Sequence, residues 1–166
     1  MANEEAKYDV VKSNEIYEIR KYSDRLAVQA LNTNQNNSFR KLFNYISGDN
    51  ETNEEIKMTI PVTQMEKKGN MTMQFYLPSK FNKDNIPNPS RSDVEIVNVE
   101  GGYYAVIKYS GRASDKNFIK HKEILENELK KDNISIKSPA IKASYNSPFT
   151  LPMLRRNEAM FKVNWK

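Results

Sequence analysis

Two stretches of this chain space their apolar residues at helical intervals, and short β-branched and aromatic segments surround both. Phe39, Leu42, Phe43 and Ile46 fall at i, i+3, i+4 and i+7, which places them on one face of a helix ending near Gly48. Phe118, His121, Leu125 and Leu129 follow a 3,4,4 spacing, in a segment that Ser114 or Asp115 can cap and that runs to about Lys131. Before the first helix, Tyr8 to Val11, Ile16 to Tyr22 and Leu26 to Leu31 read as an antiparallel meander with Ser23-Asp24 as turn chemistry. Met58 to Val62 carries Pro61 and reads as an edge or kinked strand, and Met71 to Leu77 alternates as a strand until Pro78. Val94 to Val99 and Tyr103 to Tyr109 predict a hairpin around Glu100-Gly101-Gly102. Ala140 to Tyr145 and Ala159 to Val163 are the last strands, separated by the Pro-rich segment Asn146 to Arg156.

The order of these elements repeats. Glu18-Ile19 opens a hairpin, a helix and two strands, and Glu95-Ile96 opens the same series. The expected class is α+β: a pseudo-twofold duplicated domain, with a distorted antiparallel β-barrel or twisted sheet and two amphipathic helices. Its expected span is residues 8–165, with halves at about 8–80 and 90–165 and a flexible N-terminus at 1–7. A chain of 166 residues is a normal length for one such domain.

Composition excludes several functions. The 26 Lys and Arg exceed the 21 Asp and Glu by five, but the basic residues stand among acidic ones and no nucleic-acid-binding motif accompanies them, so nucleic acid is not an expected partner. No run approaches the roughly 20 apolar residues of a membrane span, and mean hydropathy is −0.79. The start Met1-Ala2-Asn3-Glu4-Glu5 has neither a basic nor an apolar leader region, so the chain reads as cytoplasmic and without membrane insertion. The absence of cysteine rules out thiol catalysis, thiolate metal sites and disulfides. With one histidine and no G-x-S-x-G, H-x-x-x-H, Walker or dinucleotide pattern, an enzyme is not expected. His121 lies on the apolar stripe of the second helix, where a packed or edge histidine is the ordinary reading and a ligand role the alternative. Phe39, Leu42, Phe43, Ile46, Met58, Met65, Met71, Met73, Tyr103 and Tyr104 ordinarily make core, but the same groups suit a planar conjugated ligand.

Several strings, in order, resemble the SOUL heme-binding protein family. They are Tyr17-Glu18-Ile19-Arg20-Lys21-Tyr22, Ile56-Lys57-Met58-Thr59-Ile60-Pro61-Val62, Phe75-Tyr76-Leu77-Pro78-Ser79, Tyr109-Ser110-Gly111, and Tyr145-Asn146-Ser147-Pro148-Phe149-Thr150-Leu151-Pro152 followed by Arg155-Arg156-Asn157-Glu158. The resemblance implies binding of heme or another tetrapyrrole, such as metal-free porphyrin, in a carrier or buffer role without catalysis. It also implies an open apolar groove beside the first helix, at Phe39, Leu42 and Phe43, with basic groups near the propionates. The family's basic positions fall on Asn36, Asn44 and Leu151, which leaves Arg40 and Lys41 as the nearby cations. The cofactor-binding set it implies is therefore Phe39, Arg40, Lys41, Leu42 and Phe43. The axial histidine of one family branch has no counterpart on this helix, and His121 is the one histidine that could serve.

Two other readings stay open. An effector-type domain for apolar cations would carry a buried carboxylate, for which Glu18 and Glu95 are candidates. A protein-interaction module would receive a partner helix in the same groove.

Overall fold

A computed structural model describes residues 3–31, 35–147 and 149–165. The parts of the polar stretch and of the Pro-rich segment at Asn32 to Asn34 and at Pro148 lie outside the described residues. In chain order the elements are β1 (Glu4–Glu5), β2 (Tyr8–Ser13), β3 (Glu18–Tyr22), β4 (Arg25–Leu31), α1 (Gln35–Ile46), β5 (Thr59–Ile60), β6 (Val62–Lys67), β7 (Asn70–Tyr76), β8 (Val94–Val99), β9 (Gly102–Tyr109), α2 (Asp115–Lys131), β10 (Ile141–Ser144), a 3₁₀ turn (Pro152–Leu154) and β11 (Asn157–Lys162). The class is α+β, as expected, with two helices and largely antiparallel strands. The elements divide between two compact units, one of Met1–Ala6 with Asp24–Glu100 and one of Lys7–Ser23 with Gly101–Lys166.

In the first unit the strands run in the order β6-β7-β4-β8. Alternation along β4 and β7 sends Val28, Ala30, Met73 and Phe75 to one face, where Val28 pairs in register with Phe75 and with Ile96 of β8. Leu42, Tyr45 and Ile46 of α1 close over that face and join Ile56, Leu77, Ile86 and Val94 in a continuous core. Past the helix, Gly48 takes φ +122° and Asn50 finishes the turn: its buried side chain donates to Tyr45 O (3.0 Å) and Glu54 O (2.8 Å) and accepts from Glu54 N. The Tyr45 hydroxyl donates to Pro87 O at 2.6 Å, which ties the Asn82 to Asp93 connection to α1.

The second unit orders its strands β2-β3-β9-β11-β10. Here Ile19 pairs with Ala105, and Ala105 with Phe161, so small residues alternate with large ones beneath α2. Leu125 and Leu129 fill that space at 0% exposure. The helix starts where expected: Ser114 Oγ accepts from Asn117 N at 3.2 Å, a side-chain cap. At its far end Tyr17 donates its hydroxyl to the C-cap Asp132.

Several expectations are corrected. The meander stops at Tyr22, because β3 pairs with β2 and β9 whereas β4 pairs with β7 and β8. Val94–Val99 and Tyr103–Tyr109 form no hairpin with each other, for β8 joins β4 and β9 joins β3 and β11. In both cases the turn residues suit a hairpin, but pairing follows the partner that buries the apolar face. A hairpin the sequence reading missed joins β6 to β7, through Lys68 and Gly69 at φ +52° and +81°, the two left-handed positions of a two-residue turn. Glu4–Glu5 pair in parallel with Thr59–Ile60, and Glu4 accepts from Ser79 N at 3.0 Å.

Candidate functional site

α1 turns its residues through about 100° each, so an apolar stripe at positions 39, 42, 43 and 46 spans an arc wide enough to face both core and solvent. Leu42 lies on the inner side at 0% exposure, with Ser38, Tyr45 and Ile46 also buried. Phe39 and Phe43 lie on the outer side, 42% and 49% exposed. Their rings stack one helical turn apart, with centroids 6.1 Å apart and planes 12° from parallel. Phe39 is anchored from below by Phe75 of β7, in an edge contact at 5.2 Å. Arg40 is exposed beside them. Lys41 Nζ is 3.0 Å from Asp93, whose carboxyl is held below its ordinary range first by the Arg91 hydrogen bond and then by Lys41. Of the five residues the sequence brings forward, Phe39, Arg40 and Phe43 therefore present outward surface. Lys41 already has a carboxylate partner, and Leu42 is packing beneath the rings where the expected groove would have used it as surface.

His121 belongs to the other helix and the other unit. Its Nδ1 lies 2.8 Å from Asn117 O, and a carbonyl can only accept, so Nδ1 carries a proton and donates. The imidazole stacks on Tyr109 with centroids 4.1 Å apart and planes 5° from parallel. Burial pushes the Tyr109 hydroxyl up to about 12. Among the described residues no three His, Asp or Glu side chains are grouped as metal ligands.

The densest polar arrangement escaped the sequence reading. Arg20 of β3, 0% exposed, holds Glu158 of β11, also 0% exposed, through two parallel hydrogen bonds of 2.8 Å. Tyr145 donates to the same carboxylate, and Arg156 Nε approaches it at 3.1 Å. Arg20 also donates to the Tyr22 hydroxyl, and its guanidinium lies 4.2 Å over the Tyr8 ring. Burial alone pushes the Glu158 carboxyl up, but the hydrogen bonds and charge of Arg20, the Tyr145 hydroxyl and the Arg156 charge outweigh it and hold the group below its ordinary range. Neither carboxylate proposed for an apolar cation stands alone: Glu18 accepts from Arg20 Nε at 2.6 Å, and Glu95 accepts from Gln29 at 2.6 Å on the surface.

The model of the SOUL heme-binding protein family matches residues 3–162 of this chain. This chain belongs to the SOUL family. Heme-binding protein 2 of Mus musculus is 30% identical over 161 residues, covering 89% of this chain and 77% of the mouse protein. Heme-binding protein 2 of Homo sapiens is 32% identical over 133 residues, covering 75% of this chain and 63% of the human protein, under two thirds of its length. Similar solved structures include the C-terminal domain of EcmrR (TM-score 0.66, 10% identity, covering 95% of this chain and 98% of that one). A hydrolase from Listeria innocua has a TM-score of 0.65 at 8% identity, covering 93% of this chain and 94% of that one. SAV2435 bound to tetraphenylphosphonium has a TM-score of 0.52 at 12% identity, covering 89% and 93%. At such identities the likeness is one of fold. Within this SOUL chain, the string Tyr17 to Tyr22 supplies Arg20, and Arg155 to Glu158 supplies the carboxylate that Arg20 holds. Two of the family strings are thus joined by one buried ion pair.

Proposed function

We propose that this SOUL-family chain binds heme or another tetrapyrrole on the outer flank of α1, as a carrier or buffer and without catalysis. The observation that carries the reading is the stacked, half-exposed pair Phe39 and Phe43, with Phe39 seated on Phe75. Two nearly parallel rings held by a core contact offer a firm apolar face to a planar macrocycle, and covering such surface yields about 25 cal/mol per Å². Arg40 supplies an exposed cation for a propionate, whereas Lys41 would have to leave Asp93. An exposed ion pair contributes about 1 kcal/mol or less, so the ring faces dominate the affinity.

These residues fit the flat apolar part of a heme. They offer no imidazole to its iron, because α1 carries no histidine. Metal-free porphyrin therefore binds about as well as heme.

Titration with hemin and with protoporphyrin IX, followed through the Soret band and tryptophan quenching, tests this. Saturable binding of both is expected, and Phe39→Ala or Phe43→Ala should weaken each by about five- to thirty-fold, the equivalent of about 1–2 kcal/mol for one ring contact. Absence of saturable binding at micromolar ligand, or wild-type affinity in both variants, overturns it.

A further inference from the structure

The connection between β10 and β11 in the second unit carries the four most exposed large apolar side chains among the described residues. Phe149 is 94% exposed, Met153 76%, Leu154 68% and Leu151 59%. The Arg20 network of the same unit does not use them. Among its described residues, Thr150 N donates to Ser147 O (3.0 Å) and Leu154 N to Leu151 O (2.9 Å), and Gly111 N, from the segment after β9, donates to Pro152 O (2.8 Å). Arg155 Nη1 donates to Ser147 O across the base of the turn. The backbone that carries the apolar side chains is thus tied at these points before anything docks, which lowers the backbone entropy still to be lost.

Exposed apolar side chains this close together mark a surface that something covers. Charge selects the occupant. From Ser144 to Asn157 the chain has Arg155 and Arg156 and no carboxylate, and Arg112 adjoins the Gly111 that holds the turn. Arg155 is held by carbonyl oxygens, and Arg156 shares Glu158 with Arg20, so the base of the turn keeps positive charge. Shape agrees, since a side chain 94% exposed projects from the surface and suits a deformable phase better than a flat protein face.

We propose that the β10–β11 connection is a peripheral membrane contact. Phe149, Leu151, Met153 and Leu154 enter the acyl boundary of an anionic bilayer, while Arg112 and Arg155 face its headgroups.

Co-sedimentation with phosphatidylcholine vesicles containing phosphatidylserine tests it, with pure phosphatidylcholine vesicles in parallel. The wild-type chain should pellet with the anionic vesicles, less so at high salt, and remain in solution with the neutral ones. Phe149→Ser/Met153→Ser should reduce the bound fraction by about tenfold or more, since each side chain loses its apolar transfer. Both positions are exposed, so the variant keeps the wild-type circular dichroism spectrum. The proposal is overturned by a wild-type chain that stays in solution with anionic vesicles, by equal binding to neutral ones, or by a variant that pellets like the wild type. It is equally overturned if the wild-type chain forms a dimer in sedimentation equilibrium that the same variant abolishes, for the occupant is then a second copy of the chain.

Discussion

Glu158→Gln keeps the shape of the side chain and removes its charge, which leaves the Arg20 guanidinium at 0% exposure without its bidentate partner. Breaking a buried pair from one side costs about 3–5 kcal/mol, because the remaining charge stays desolvated. Arg20 retains Glu18 at 2.6 Å, whose side chain is 22% exposed, so the loss falls at the lower end, about 3 kcal/mol. In a chain of this size 1 kcal/mol moves Tm by about 2–4 °C, so Tm should fall by about 6–12 °C. Thermal and urea unfolding followed by circular dichroism at neutral pH measure it, with Glu18→Gln as the comparison, expected to lose about 1 kcal/mol or less. The pH dependence gives an independent check. Glu158 binds its proton less readily folded than unfolded, so its stabilisation is present above the unfolded value near 4.5 and is lost as pH falls through the lower folded value. The gap between wild type and Glu158→Gln should therefore narrow below pH 4.5. A Glu158→Gln protein within about 1 kcal/mol of wild type at neutral pH, or a gap that widens in acid, refutes the reasoning.

Other outcomes separate packing from binding. Leu42→Ala should destabilise the fold by about 2–5 kcal/mol in urea unfolding, whereas Phe43→Ala, at 49% exposure, should cost about 1 kcal/mol while weakening porphyrin binding. His121→Ala should leave the absorption spectrum of the heme complex unchanged; a shifted Soret band would make this histidine a ligand. Ser114→Ala removes the α2 cap and should lower stability by about 1 kcal/mol, read as a shift in urea midpoint at constant slope.

The two helices were legible from local signals, apolar spacing and a terminal glycine on α1 and apolar spacing with a side-chain cap on α2. The apolar spacing from Phe118 to Leu129 agrees with the Ser114 cap, and Asp115–Lys131 is the helix observed. On α1 the same periodicity identified the stripe but not which side of it is wet. Leu42 and Phe43 are neighbours in sequence, yet Leu42 is enclosed by the core that Val28, Met73 and Phe75 complete, and Phe43 lies beyond its edge. The Arg20 network was hidden for a related reason. In Glu18-Ile19-Arg20-Lys21-Tyr22, three charged residues in five, with Glu18 and Arg20 on one face, read as the solvent side of a strand. Asn157 to Phe161 of β11 are buried at every position, so the polar side of that strand is covered as well.

What the sequence by itself determined is the class of the fold, the position of both helices and, through strings spread from Tyr17 to Glu158, membership of the SOUL family. These depend on periodicity, capping and ordered motifs, which are local and written along the chain. Only the tertiary structure decided that β3 leaves β4 for β9, that Leu42 supports while Phe39 and Phe43 present surface, and that Glu158 is already held by Arg20. Each of these depends on which surfaces meet across long sequence separations, and burial against a distant partner leaves no period in the chain from which to read it.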